Sequence, residues 1–227
     1  MAQLLYPRDA TRKHLSATRR HMRLCRQFTG TQFLIDQIQL PYNTLKDKQA
    51  ATAKKEEQQQ DRYDDLLIAD NQLDDVVRTT FRRCEEHDRA NPADATLRRI
   101  FPEGKFGHIV NMNKQEEPEM VERLAMRVED LGAEHALNYL ATDLRAQVTA
   151  SRKAIKAYQD IITQAKTCEA EEEIAQATLR RQYENNYLDA RKQLGKKLAE
   201  RLFPKLTTSV RTETSFNEGD NIVIGNV

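Results

Sequence analysis

The chain has 227 residues, of which 39% are hydrophobic and 31% charged, and its formal net charge is +1. This hydrophobic share is below that of a compact globule and favours a thin helical bundle, in which surface is large relative to core. A net charge near zero excludes a global field that recruits nucleic acid or membranes. No apolar run approaches the ~18 residues that span a bilayer, and no apolar signal core opens the chain, so the sequence predicts a cytoplasmic protein.

The first hundred residues have the pattern of helices. A helix is expected to begin near Asp9, and apolar side chains then recur at steps of three and four residues. The pattern keeps its phase across Pro41, which predicts a kinked but continuous helix. Residues 46–62 carry no large apolar side chain, and an exposed hairpin tip is the simplest explanation. A second helix follows, and a short one ends at Phe101.

The second half begins with an irregular stretch, residues 103–117, whose aromatic and β-branched members predict a short strand. A helix restarts near Pro118, and the helix after it has the most regular pattern in the chain. Its apolar positions form a heptad seam suited to bundle or coiled-coil packing. They are Leu137, Ala141, Leu144, Val148, Ser151, Ile155, Tyr158, Ile162 and Ala165. Beyond Pro204 the composition turns to Thr, Ser, Val and Ile, which predicts an extended tail over 205–227.

A shift of the chain by 102 residues superimposes several landmarks. It places Gly30 on Gly132, Phe81 on Tyr183 and Phe101 on Phe203. One explanation is an internal duplication that gives two αα-hairpins in tandem. The other is a chance alignment of two long amphipathic helices, and the sequence leaves both open.

These patterns together predict an all-α fold, an elongated antiparallel four-helix bundle of two tandem αα-hairpins, each followed by a short extended or β segment. The expected divisions are a first hairpin over 1–102, a connecting segment over 103–117, a second hairpin over 118–204 and an extended tail over 205–227. Neither 46–62 nor 163–173 contains Gly or Pro. Each of these two stretches is therefore either a hairpin turn or part of a longer continuous helix.

Motifs for chemistry are missing from the sequence. There is no Glu-x-x-His for a di-iron bundle, no Gly-x-Ser-x-Gly and no P-loop. His21 and Cys25 lie four residues apart and could share a metal, but a surface histidine beside a core thiol is the simpler interpretation. With Cys84 and Cys168 lacking CxxC spacing, reduced thiols are expected, and His135 is expected to pack or to face solvent. We predict no catalytic residue, no metal and no cofactor.

Charge is distributed unevenly along the chain. Four arginines near the N-terminus share one helical face, and tandem hairpins packed in parallel register add Lys192, Lys196, Lys197 and Arg201 to it. The resulting candidate anion-binding residues are Arg12, Arg19, Arg23, Arg26, Lys196 and Lys197. The predicted hairpins also bring Arg98 and Arg99 beside them, and an acidic side is expected from Asp64, Asp65 and 169–173. Internal neutralisation, for example by Glu85, Glu86 and Asp88, is the alternative.

Two classes of function fit these features. The first is a non-enzymatic structural or scaffold protein that self-associates into an oligomer or filament through bundle faces and its extended tail. The residues expected at that interface are Phe216, Ile222, Val223, Ile224, Phe106, Ile109 and Val110. The alternative is a polyanion-binding protein, for nucleic acid, that uses the basic end of the bundle. A membrane partner is not expected, because no segment is long and apolar enough to insert.

Overall fold

The computed structural model describes residues 4–203, and the regular structure in that range is helical. Its helices are α1 (Thr11–Cys25), α2 (Gln32–Ala90), α3 (Thr96–Ile100), α4 (Gly107–Val110), α5 (Glu117–Glu129), α6 (Tyr139–Leu194) and α7 (Lys196–Leu202). The predicted all-α class is therefore confirmed. The predicted tail over 205–227, with Phe216, Ile222, Val223 and Ile224, lies outside the described residues.

Two of the helices are very long, because α2 has 59 residues and α6 has 56. Residues 46–62 are part of α2 and residues 163–173 are part of α6. The prediction of hairpin tips at these places was wrong, and the continuous-helix alternative is the one that occurs. Both stretches are rich in Ala, Lys, Glu and Gln, which have high helix propensity, so losing the apolar stripe did not end the helix. Pro41 is also inside α2, as its unbroken phase predicted.

The order of the helices matches the 102-residue shift. In each half of the chain a helix of moderate length leads to a glycine with positive φ, which is +81° at Gly30 and +102° at Gly132. A left-handed φ favours glycine, so the chain turns there before the long helix. A short helix then ends at a buried phenylalanine, Phe101 or Phe203. Each half of the chain thus contains one long helix with two shorter ones, α1–α2–α3 and α5–α6–α7, rather than a hairpin.

The chain forms two compact units that do not follow the predicted divisions at 102 and 118. Unit 1 consists of Met1–Leu40 with Arg180–Val227, and unit 2 is Pro41–Leu179. Each unit therefore takes helices from both halves of the sequence. Unit 1 contains α1 and α7, which pack together, and unit 2 contains α3, α4 and α5, with α3 and α4 each against α5.

The core of unit 1 is organised around a buried imidazole. His21 Nδ1 donates to the carbonyl oxygen of Leu202 at 3.1 Å, and its Nε2 accepts from Asn186 Nδ2 at 3.3 Å. Asn186 Nδ2 also donates to the Leu34 carbonyl oxygen at 2.6 Å. The His21 ring centroid lies 4.1 Å from that of Phe203. One polar network therefore joins α1, α2, α6 and the end of α7, and it satisfies groups that would be costly to bury alone.

In unit 2 the long helices run antiparallel. Lys48 Nζ lies 2.7 Å from Glu171 Oε2, and Lys55 Nζ lies 2.9 Å from Gln164 Oε1. Further along, the rings of Tyr63 and Tyr158 have centroids 5.5 Å apart. The main apolar core of unit 2 lies beyond these pairs. Its buried members are Leu73, Val77, Cys84, Ile100, Phe101, Ile109, Val121, Leu124, Ala125, Val128, Leu137, Leu140, Ala141, Leu144 and Val148.

The predicted heptad seam of α6 holds only in part. Its first members, from Leu137 to Ser151, are buried, whereas Ile155, Tyr158 and Ile162 are half-buried and Ile161 takes the inward position. Ala165, the last member of the seam, is buried again, so the seam is interrupted over 155–162 and resumes after it. The partner side chains there are also polar, because Lys55, Gln58 and Arg62 of α2 lie near Ile161.

The predicted strand near 103–117 does not form. Gly107–Val110 is the helical turn α4, and the Ile109 N–H donates to the Phe106 carbonyl oxygen at 2.9 Å. Ile109 is buried in the unit 2 core, with Phe106 and Val110 packed against that core. No strand lies beside this segment within residues 4–203. Its backbone N–H and C=O groups instead form hydrogen bonds within the helical turn. Ile109 is thus a core residue and Phe106 and Val110 are partly buried against it, while the place of these three residues at an assembly interface stays a prediction.

Candidate interaction surface

The exposed face of α1 carries a row of arginines. Arg12, Arg19, Arg23 and Arg26 are all exposed, as is their neighbour Arg20. Helical spacing places the first four on one side, while His14, Ala17, Thr18, His21, Met22 and Cys25 point into the core. No ion pair involves these five arginines within the described residues. Their guanidinium groups therefore face solvent with their donors available.

Helix α7 adds cations to the same unit. Lys196, Lys197 and Arg201 are exposed, and α7 packs against α1. The guanidinium carbon of Arg201 lies 5.2 Å from the ring centroid of Phe28, just after α1, at a distance typical of a cation–π contact. We call the exposed Arg12, Arg19, Arg20, Arg23 and Arg26 of α1, with Lys196, Lys197 and Arg201 of α7, the basic surface. It contains all six residues that the sequence predicted for anion binding.

The two units differ in net charge, a property that the near-neutral total conceals. The described part of unit 1 has 14 Lys and Arg against 5 Asp and Glu, a net charge of +9 with neutral histidines. Unit 2 has 20 Lys and Arg against 27 Asp and Glu, a net charge of −7. Opposite net charges of this size produce strong local electrostatic fields even when the whole chain is close to neutral.

Several carboxylates that were candidates for neutralising the basic surface have other roles. Asp88 accepts from the backbone N–H groups of Thr96 and Leu97 at 2.8 and 2.9 Å, and so caps α3. Glu86 pairs with Arg83 at 3.0 Å. Arg98 and Arg99, expected beside α1, belong to α3 of unit 2, because the hairpin that was to bring them there does not exist.

The acidic side predicted from the sequence divides into two places. Asp64 and Asp65 follow Tyr63, which contacts Tyr158 of α6. The acidic stretch 169–173 instead lies beside Lys48, which pairs with Glu171. The two acidic stretches are therefore separate features of unit 2, because an antiparallel register fixes a different partner for each.

His21 and Cys25, the one pair that the sequence offered for a metal, are both buried in the core of unit 1, so the expected surface position of His21 was wrong. Both ring nitrogens of His21 have partners, Leu202 and Asn186. Burial lowers the pKa of His21 to about 4, and burial raises the pKa of the Cys25 thiol to about 12. The Cys25 thiol is therefore protonated in this core at neutral pH. Cys84 is equally buried, whereas Cys168 is half-buried.

Unit 2 contains a buried carboxyl pair that sequence patterns gave no reason to expect. Asp74 Oδ2 accepts from Arg78 at 2.7 Å, while Asp74 Oδ1 and Glu117 Oε1 are buried with no other partner in the described chain. Burial, followed by the contact with Asp74, raises the pKa of Glu117 to about 8. Near neutral pH Glu117 therefore keeps its proton and donates it to Asp74, so that one carboxylate in the pair is charged rather than two.

Three further ligand-type side chains meet in unit 2. His87 in the last turn of α2, Asp94 in the following turn and His135 before α6 have donor atoms that all lie within 4.8 Å of one another. The sequence missed this cluster because 48 positions separate the two histidines and neither belongs to a motif. Only the packing of the turn after α2 against the turn before α6 brings them together.

Comparison with known proteins adds no assignment to these surfaces. No family model matches the chain, and neither the curated proteins nor the solved structures give a match. Among the helices of residues 4–203, none has both the length and the hydropathy needed to cross a membrane. Function is therefore inferred from the charge and geometry of the two units.

Proposed function

We propose that the chain is a non-enzymatic, cytoplasmic helical scaffold that self-associates by placing the basic surface of one copy against unit 2 of another. The opposite net charges of the two units, +9 and −7 over the described residues, are the observation that carries this proposal. Such fields attract through solution and weaken as salt screens them. The tail over 205–227 is proposed to reinforce the contact between copies, because β-forming segments pair readily with another chain.

A contact between two different surfaces has a consequence for the assembly. When the basic surface of each copy binds unit 2 of the next, every copy still has one surface of each kind to offer. Such head-to-tail contacts produce a ring when the rotation closes and an open filament when it does not. The proposal therefore predicts oligomers whose mass rises with protein concentration and falls with salt.

Two hydrogen-bonded polar side chains, one in each unit, support a structural role over a catalytic one. His21 is bonded on both nitrogens, and Asp88 is held by two backbone N–H groups of α3. These side chains hold helices together, and neither has a free reactive atom. Catalysis instead needs a poised acid, base or nucleophile within reach of a substrate.

Binding of a polyanion, such as nucleic acid, is a second candidate, and a separate observation favours it. The α1 arginines have no ion pairs within residues 4–203, and a guanidinium presents a fork of donors that matches a phosphate. An open depression on α1 is lined, among described residues, by Ser16, Arg19, Arg20, Arg23, Leu24 and Gln27. Exposed aromatic rings for base stacking are not among them, so phosphate contacts would supply this binding.

One experiment separates the two candidates. Light scattering at low and high salt is recorded for the wild type and two triple variants, each alone and with a short DNA duplex. The α1 variant carries Arg19→Glu, Arg23→Glu and Arg26→Glu. The matched control carries Lys153→Glu, Lys156→Glu and Lys166→Glu, three exposed lysines of unit 2. Circular dichroism of each variant checks that helicity is retained.

For a scaffold, the wild type exceeds the monomer mass at low salt and returns to it at high salt. The α1 variant stays monomeric at both, whereas the control variant, with a more acidic unit 2, assembles at least as well as the wild type. If the wild type is monomeric and binds DNA, and only the α1 variant fails to bind, then the chain is a polyanion-binding protein and the scaffold proposal is wrong. If the wild type is monomeric and does not bind DNA, both proposals are wrong.

A further inference from the structure

The cluster of His87, Asp94 and His135 is contributed by three segments of unit 2. His87 is in the last turn of α2, Asp94 is in the turn that leads to α3, and His135 is in the turn before α6. The two imidazole rings have centroids 4.8 Å apart. His87 Nε2 lies 3.8 Å from Asp94 Oδ2. Two nitrogen donors and one oxygen donor thus converge from elements that are distant in sequence.

These separations are close to those of a metal site. Two ligand atoms about 2.1 Å from a tetrahedral ion lie about 3.4 Å from each other. The gap of 3.8 Å between His87 Nε2 and Asp94 Oδ2 is near that value, and since all donor atoms lie within 4.8 Å of one another, no separation must close by more than about 1.4 Å. Asp94 and His135 are both in turns, so rotation of their side chains can close it without moving a helix.

Groups around His87 orient its ring for such a role. His87 Nδ1 lies 3.4 Å from Thr96 Oγ1 and 3.8 Å from Asp88 Oδ1. Asp88 is itself fixed by the backbone N–H groups of Thr96 and Leu97. A proton on Nδ1 that is held by Thr96 leaves the lone pair of Nε2 directed at Asp94. Metal-binding histidines are commonly held in this way, with the second nitrogen donating to a neighbouring oxygen.

His135 makes one bond that a metal must replace. Its Nδ1 accepts from the Leu137 N–H at 3.2 Å, so its Nε2 carries the proton when the ring is neutral. Coordination through Nδ1 displaces that N–H, and coordination through Nε2 moves the ring proton to Nδ1 and breaks the same bond. The bond spans only two residues within a turn, so its loss is local.

We propose that His87, Asp94 and His135 form a site for one divalent transition-metal ion of the Zn²⁺ type. Two imidazoles and a carboxylate suit zinc and its neighbours, whereas Mg²⁺ and Ca²⁺ prefer oxygen ligands throughout. Three protein ligands leave a fourth position for water. The ion ties the turn after α2 to the turn before α6, and so stabilises unit 2.

The test is a titration of the metal-free full-length chain with Zn²⁺ in competition with a chromophoric chelator. We expect one high-affinity Zn²⁺ per chain and a rise in melting temperature on binding. His87→Ala, His135→Ala and Asp94→Asn should each weaken binding by about tenfold or more. His108→Ala is the matched control, because His108 is exposed and has its own carboxylate, Glu103, 3.2 Å away but no third ligand within residues 4–203. It should bind Zn²⁺ like the wild type.

A direct readout covers the case in which His87→Ala or His135→Ala fails to fold. In the wild type, Zn²⁺ should shift the NMR signals of the ring nitrogens of His87 and His135 and leave those of His108 in place. Asp94 has half of its side chain exposed, so Asp94→Asn tests the third ligand without disturbing a core. Absence of high-affinity binding, equal binding by the Asp94 variant, or shifts at His108 alone would overturn the site.

Discussion

Units 1 and 2 each combine helices from both halves of the chain, yet they differ in their cores and surfaces. Each contains a T-shaped aromatic pair at positions related by the 102-residue shift. Tyr183 and Phe203 have ring centroids 5.0 Å apart in unit 1, and Phe81 and Phe101 have centroids 5.2 Å apart in unit 2. The shared framework is therefore apolar and aromatic.

The differences lie around that framework. Asn186, at the centre of the polar network of unit 1, corresponds by the same shift to Cys84, a buried thiol in the apolar core of unit 2. The surfaces carry opposite net charges, and the basic surface belongs to unit 1 alone. The same aromatic framework is thus compatible with a polar network or with an apolar core. The property on which the proposed function rests, net charge, is one in which the two units differ.

The largest expected effect tests the shared framework. Phe203→Ala and Phe101→Ala should each reduce the free energy of unfolding by about 3–5 kcal/mol, because each removes a fully buried ring. Denaturant unfolding measures the total, and amide hydrogen exchange shows which unit opens. A cost below about 1 kcal/mol at one position alone would mean that the aromatic pairs are not equivalent.

The next effect is a pH dependence of opposite sign in the two units. In unit 1 the pKa of His21 is lowered from 6.5 to about 4 by burial. Between those values the unfolded chain binds a proton that the folded chain does not, so stability falls as pH falls from about 6.5 to 4, by roughly 3 kcal/mol in all. Hydrogen exchange of unit 1 against pH should show this loss, and His21→Gln should remove it.

In unit 2 the pKa of Glu117 is raised from 4.5 to about 8. Here the folded chain holds a proton that the unfolded chain releases, so stability falls as pH rises from about 4.5 to 8, with a limiting slope of about 1.4 kcal/mol per pH unit. Glu117→Gln keeps the donor and should flatten this dependence. If both units lose stability as pH falls, or both as pH rises, then the opposite effects assigned to His21 and Glu117 are wrong.

Exchanging the residue types at Asn186 of unit 1 and Cys84 of unit 2 should have a smaller effect on the free energy of unfolding. Asn186→Cys should cost about 1–3 kcal/mol, because it leaves the Leu34 carbonyl oxygen and His21 Nε2 buried without their donor. Cys84→Asn should cost a similar amount for the opposite reason, since an amide enters an apolar core without partners. Denaturant unfolding of both variants checks this, and a neutral Cys84→Asn would show that the unit 2 core can satisfy an amide.

The sequence predicted the helices better than their associations. The stripe through Pro41 and the stop at Phe203 could be seen because both depend on local spacing. The conformation of residues 46–62 could not be predicted, because a polar stretch without Gly or Pro is compatible with either a helix or a turn. The His21 network and the cluster at His87 and His135 were missed for another reason. Each depends on contacts between residues far apart in sequence, which periodicity does not report.

The smallest expected effect tests whether both long helices pass through their polar stretches. Ala53 of α2 and Ala170 of α6 are exposed within helix. Ala53→Gly and Ala170→Gly should therefore each cost about 1 kcal/mol, the usual penalty for glycine in an exposed helix interior. The matched control is Ala93→Gly, in the turn after α2, which should be close to neutral. Denaturant unfolding gives the three values. In a hairpin tip glycine would be tolerated or favoured, so a neutral Ala53→Gly would restore the turn over 46–62.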